Sequence, residues 1–73
     1  MQYDRSKHED LWRAYAVMFG INKQSPTVRE LAHVLSWTSS KVHRTLLMLR
    51  QGGHAKWEYN KSRTLTVRKP EDV

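Results

Sequence analysis

Three helices followed by a two-stranded hairpin, an α+β arrangement, is what this sequence predicts, and three observations predict it. Apolar residues recur at helical spacing in three separate runs up to residue 51. Gly52-Gly53 closes the last of these runs. After Gly53 the apolar period drops from 3.6 to 2, the period of strands.

The first helix starts at Ser6-Lys7-His8-Glu9, which fits the S/T-x-x-E/Q capping box. Leu11, Ala14, Tyr15, Met18 and Phe19 make its core stripe. Gly20 is the expected stop, with Ile21 folding back onto the core. Residues 1–5 are read as a flexible N-terminus. Trp12, Ala16 and Val17 widen the apolar arc beyond one packing face. Either the small domain wraps this helix on two sides, or Trp12 and Val17 belong to an oligomer or partner surface.

A polar link, residues 22–26, leads to the second helix. Thr27-Val28-Arg29-Glu30 is another capping box, and Pro26 sits just ahead of it, where a missing N–H costs little. Val28, Leu31, Ala32 and Leu35 form one stripe. Ser36-Trp37-Thr38 breaks the pattern, and Thr38 or Ser39 can cap the third helix. There Val42, Leu46 and Leu49, with Thr45, form the buried line.

What faces away from that line carries the functional argument. At about 100° per residue, Ser40, Arg44, Leu47 and Gln51 lie opposite it. Ser39 and His43 flank them on one side and Lys41 on the other. A short cationic, hydrogen-bonding face on a helix held by its other side suits a recognition helix in a DNA major groove.

Beyond Gly53, Ala55, Trp57 and Tyr59 alternate with His54, Lys56 and Glu58. Leu65 and Val67 alternate with Thr64, Thr66 and Arg68. Two strands joined across Asn60-Lys61-Ser62-Arg63 are expected, with the inner face covering the helices. Pro70 ends the second strand, so the domain spans residues 6–69 and residues 70–73 form a tail.

The run Leu31-Ala32-His33-Val34-Leu35-Ser36-Trp37-Thr38-Ser39-Ser40-Lys41-Val42-His43-Arg44-Thr45-Leu46 resembles the helix-turn-helix pattern L-A-x-x-L-G-x-S-x-x-x-V-x-x-x-L. Leu49 and Gly53 continue it where winged-helix regulators place leucine and glycine. Residues 25–32, SPTVRELA, are especially similar to the LexA-type repressor DNA-binding domain, and the likeness covers roughly residues 8–69. Two departures stand out. Ser36 occupies a turn position where the family prefers glycine, and Ala55 one where a larger aliphatic residue is usual, with Trp57 expected to supply the missing volume.

The resemblance implies a winged helix-turn-helix regulator of a bacterial or phage-infected cell, more often a repressor, bound to double-stranded DNA. It implies base contacts from Ser39, Ser40, His43, Arg44 and Leu47. Arg44 is the strongest of these, since its planar fork can bind guanine O6 and N7 together. It implies phosphate contacts from Thr27 and Arg29 at the start of the second helix, from Lys41, and from Lys61 and Arg63 at the hairpin tip. Arg50, Lys56 and Arg68 are read as solvated surface.

Composition bounds the alternatives. The 73 residues make one domain with a formal charge of +6. Nine of the 13 basic residues, and of the acids only Glu30 and Glu58, fall within residues 29–69. That concentration argues for a polyanionic partner. There is no cysteine, no apolar run near the ~20 residues of a membrane span, and no signal-peptide pattern at the N-terminus, so a cytosolic protein is expected. His8, His33, His43 and His54 fit no metal-ligand spacing. His8 reads as packing or capping, His33 as half-exposed beside its stripe, and His54 as the outer face of a strand. No G-x-S-x-G or glycine-rich phosphate loop is present. Neither a cofactor nor catalysis is expected. Trp37, Trp57 and Tyr59 allow a single-strand stacking platform, but their spacing fits inward positions better. The remaining alternatives are a winged-helix module that binds another protein, such as a polymerase or a repressor, and a recombination or excision accessory factor.

Overall fold

The computed structural model describes residues 2–59 and 61–70. Its elements are α1 (Arg5–Asn22), α2 (Val28–Leu35), α3 (Ser39–Gln51), β1 (Ala55–Lys56) and β2 (Thr66–Val67), the strands pairing antiparallel. Three helices followed by a two-stranded hairpin is the predicted order. Asn60 in the expected turn and residues 71–73 of the expected tail lie outside the described residues.

Both ends of α1 differ from expectation. Asp4, not Ser6, is the cap, and its side chain accepts from the Lys7 N–H at 3.2 Å. An aspartate two residues earlier serves as well as serine and adds a negative charge at the positive end of the helix dipole. Residues just ahead of the helix are also held. The Asp4 N–H lies 3.2 Å from Met48 Sδ, and the Tyr3 hydroxyl 2.7 Å from His8 Nδ1. At the other end α1 runs through Gly20 and stops at Lys23, whose φ of 58° lets its N–H reach Phe19 O at 2.8 Å. Ile21 therefore stays on a helix and is 69% exposed rather than folded back. Of the expected stripe, Leu11 and Ala14 are buried, Tyr15 and Met18 half-buried, and Phe19 exposed.

The α2–α3 pair follows the sequence closely. The Thr27 hydroxyl accepts from the Glu30 N–H at 3.2 Å, and Glu30 Oε1 accepts from the Thr27 N–H at 2.9 Å, completing the capping box. Ser36 takes the left-handed conformation at φ 57° that the helix exit requires, and Trp37 N–H returns to Ala32 O at 3.0 Å. A serine bears this conformation at a cost of about 1–2 kcal/mol that glycine would avoid. Thr38 caps α3 by accepting from Lys41 N–H at 3.1 Å. Val42, Thr45, Leu46 and Leu49 are buried as expected, and Met48 joins them. Gly53, at φ 79°, makes the turn after the helix.

The hairpin is shorter than its alternation. Ala55 pairs with Val67 and Lys56 with Thr66, and no further pairing follows among the described residues. Beyond it the Thr64 hydroxyl accepts from the Glu58 N–H at 2.9 Å, a side chain standing in for a ladder bond. Leu65, Val67 and Ala55 close the core over Leu11, Leu31, Leu46 and Leu49. Trp57 is partly buried against that core, beside the small Ala55. Tyr59, expected inward, is 65% exposed.

His54 is the clearest reversal. Expected on an outer strand face, it is buried, because it precedes the paired strand and escapes its alternation. Its ring lies 5.2 Å from that of His8 and 5.1 Å from that of Tyr3. A Cβ on Gly52 would meet it at 2.7 Å. His8 is fully buried, its Nε2 2.8 Å from Arg68 O. A carbonyl only accepts, so Nε2–H donates there, while Nδ1 meets the Tyr3 hydroxyl.

Burial, and then the positive charges of His8 and Arg68, hold the His54 ring below its ordinary pKa of 6.5. A histidine depressed in the folded state binds its proton first in the unfolded state, so stability is full above pH 6.5 and falls as the pH drops below it. The urea midpoint should be flat from pH 8 to about 7 and decline toward pH 5.5, and His54→Asn should remove part of that decline. A midpoint that does not move over this window would contradict it.

Candidate nucleic-acid interface

The buried line of α3 sets what the helix shows to solvent. With Val42, Leu46 and Leu49 at 0–2% exposure, Ser39, Ser40, Lys41, His43, Arg44 and Gln51 are exposed and Leu47 is half-buried. The helix carries no acidic residue. Arg44 makes no hydrogen bond or ion pair to any described residue, and the same holds for the side chains of Ser39, Ser40 and His43. At its N-terminus only the Lys41 N–H is capped, by Thr38, so the Ser39 and Ser40 N–H groups stay available to an acceptor. Lys41 Nζ sits 4.4 Å over the half-buried Trp37 ring, which holds its charge at this same end.

The start of α2 is partly used up. Arg29 is exposed without a partner among the described residues, as a phosphate contact requires. Thr27 is not free, since both its hydroxyl and its N–H belong to the capping box. A carboxylate already sits at this helix N-terminus. The Thr27 N–H first, and then the Arg63 guanidinium, hold Glu30 below the usual carboxylate range.

Arg63 departs furthest from its expected role. Expected to reach outward from the hairpin tip, it folds back onto α2. Its Nη1 lies 3.1 Å from Glu30 Oε1 and 3.2 Å from Ser25 O. Next to it the buried Ser25 hydroxyl donates to Leu65 O at 2.6 Å, so the polar link is stitched to the hairpin by side chains. Lys61 remains at the tip, 3.4 Å from Glu58 with both side chains largely exposed, a pair worth little against solvent. The hairpin is thus short and pinned toward α2.

Between the hairpin, the start of α2 and α3 runs a groove of about 340 Å³. Pro26, Val28, Leu46, Trp57 and Leu65 give it apolar walls, and His43 reaches it from α3. His43 therefore looks toward the hairpin, while Arg44, outside that lining, does not. Arg44 is exposed and makes no hydrogen bond to the described residues of the hairpin.

Several side chains read as plain surface or core have specific neighbours. Arg50 lies 5.0 Å from the Trp57 ring and 5.1 Å from the Tyr59 ring, and it donates to the Tyr59 hydroxyl at 2.8 Å. That stack covers one face of each ring. Lys69 covers Trp12 at 5.4 Å, and His33 is exposed. Among the described residues no three His, Asp or Glu side chains converge as a metal-ligand set, and no helix is long and apolar enough to cross a membrane. The Glu30–Arg63 pair was invisible in the sequence, since the two lie 33 positions apart and no periodicity links them.

No family model matches this chain, and neither a curated protein nor a solved structure matches it.

Proposed function

We propose that this chain binds duplex DNA as a small winged helix-turn-helix regulator, with α3 in the major groove. The observation that carries the reading is Arg44 with His43, Ser39 and Ser40: exposed, without side-chain partners among the described residues, on the outer side of an acid-free helix whose inner side is locked in the core. An arginine in that position can take guanine O6 and N7 as a bidentate pair. The serines and free N–H groups at the helix start suit phosphate or base acceptors. Leu47 offers an apolar surface for a thymine methyl. Arg29, Lys41 and Lys61 supply phosphate contacts, with Arg63 reaching DNA only if it leaves Glu30. Regulation by this domain is steric, an operator occupied and polymerase excluded, in the cytoplasm of a bacterial or phage-infected cell. No catalytic step is assigned to it.

The apolar groove beside the hairpin supports a second reading, a protein-binding module, because DNA offers little to fill it. Titration of a random duplex at two salt concentrations separates the two. Three to five phosphate contacts give a log–log slope of about −3 to −5. Absence of binding in dilute salt would favour the protein partner. Selection from a random duplex pool then identifies the operator.

A further inference from the structure

The exposed aliphatic side chains of this fold gather on one face. Val17 and Ile21 on α1 are 55% and 69% exposed, and Val34 near the end of α2 is 45% exposed. By helical geometry Asp10, Arg13, Val17 and Ile21 fall within about 80° of one another on α1. Val34 and Trp37 stand across an open groove of about 420 Å³, which Asp10, Arg13 and Val17 line from the other side. This face shares no residue with the outer side of α3 or with the groove at the hairpin. Trp12 is not part of it. Helical geometry sets Trp12 some 140° from Val17, and Lys69 covers its ring. The two residues first paired as one surface therefore lie on separate flanks.

We infer that this face docks a second copy of the chain across a two-fold axis, through α1 and the end of α2. The charges select that occupant. The chain carries +6, so two copies repel each other across most approaches. Among the residues that line the groove, the charged ones are one acid and one base, Asp10 and Arg13, both exposed and without an ion-pair partner among the described residues, while Lys41 stands at its edge over the Trp37 ring. A two-fold interface is self-complementary: residue i meets residue j, and j meets i. Asp10 can then face Arg13 of the partner subunit while the reciprocal pair forms on the other side of the axis. A partner of strong single-sign charge would satisfy only one of the two. Val17, Ile21 and Val34 supply the apolar centre, and the ion pairs at its edge fix register more than affinity.

The inference does not depend on DNA, and its test needs none. Sedimentation equilibrium of the full chain from about 10 μM to 1 mM, at moderate salt, should show a reversible monomer–dimer equilibrium. Val17→Asp, an exposed substitution that leaves the core untouched, acts twice in a two-fold interface and should weaken it by about a hundredfold. Asp10→Arg makes the face purely cationic and should weaken it by about tenfold. The double exchange Asp10→Arg with Arg13→Asp restores one charge of each sign and should recover most of the loss. A chain that stays monomeric at 1 mM, or a double exchange no better than Asp10→Arg alone, would overturn the inference. Val17→Asp should keep its binding to random duplex in dilute salt, and Arg44→Ala should keep the dimer. Loss of one property therefore leaves the other readable.

Discussion

Arg44→Ala is expected to weaken binding to a selected duplex by about 1–3 kcal/mol, or roughly five- to 150-fold, with no change in melting temperature. The separation of the two readouts follows from the side chain's surroundings. Arg44 is exposed and bonds to nothing within the described residues, so its removal strands no buried partner. Substitutions at such sites usually stay within about 0.5 kcal/mol in stability. Arg44→Lys should recover little of the discrimination between sequences, because an ammonium cannot form the paired contact to a guanine edge. Lys41→Ala should instead lower affinity for all duplexes alike and reduce the salt slope by about one. Competition titrations with selected and random duplex would read both effects. Equal losses on the two duplexes for Arg44→Ala would reduce its role to a phosphate contact, and no loss on either would remove α3 as the reader.

Leu49→Ala should remove most of the stability of the domain. Leu49 is fully buried on α3, the helix that packs against α1, α2 and β1. Truncation of a buried leucine costs about 2–5 kcal/mol, depending on how far the cavity can collapse. A domain of this size holds only about 3–5 kcal/mol in its core, so the loss is comparable to the whole. The variant should unfold at low urea, and its duplex binding should vanish with the fold. Leu47→Ala, two residues away on the other side of the helix and half-buried, should cost far less stability while still lowering binding. A small shift in urea midpoint for Leu49→Ala would mean that the core is not centred where the burial places it.

The fold was legible wherever the determinant was local. Thr27 and Glu30 lie three residues apart, and the box they form depends only on the first turn of a helix. The Val42, Leu46 and Leu49 line follows from helical spacing, and once it is buried the exposure of Ser40 and Arg44 follows by geometry. Where two local signals competed, the sequence could not rank them. Asp4 and Ser6 are both good caps, and contacts of Tyr3 and Asp4 with His8 and Met48 favour the earlier one. Gly20 has the conformational freedom to end α1, yet it stays helical and Lys23 takes the left-handed position instead.

The candidate interface divides in the same way. Spacing along the chain was enough to place the outward residues of α3, because one helix with one buried side has only one other side. It could not place Arg63, whose partners Ser25 and Glu30 come from 38 and 33 positions away. Nor could it show that His54 leaves the surface to pack with His8, or that Val17 and Val34 converge while Trp12 turns aside. The physical reason is range. Caps, helical stripes and strand alternation are properties of a few consecutive residues. The direction of the hairpin, and the neighbours of each side chain it brings with it, depend on how separate elements close over one small core.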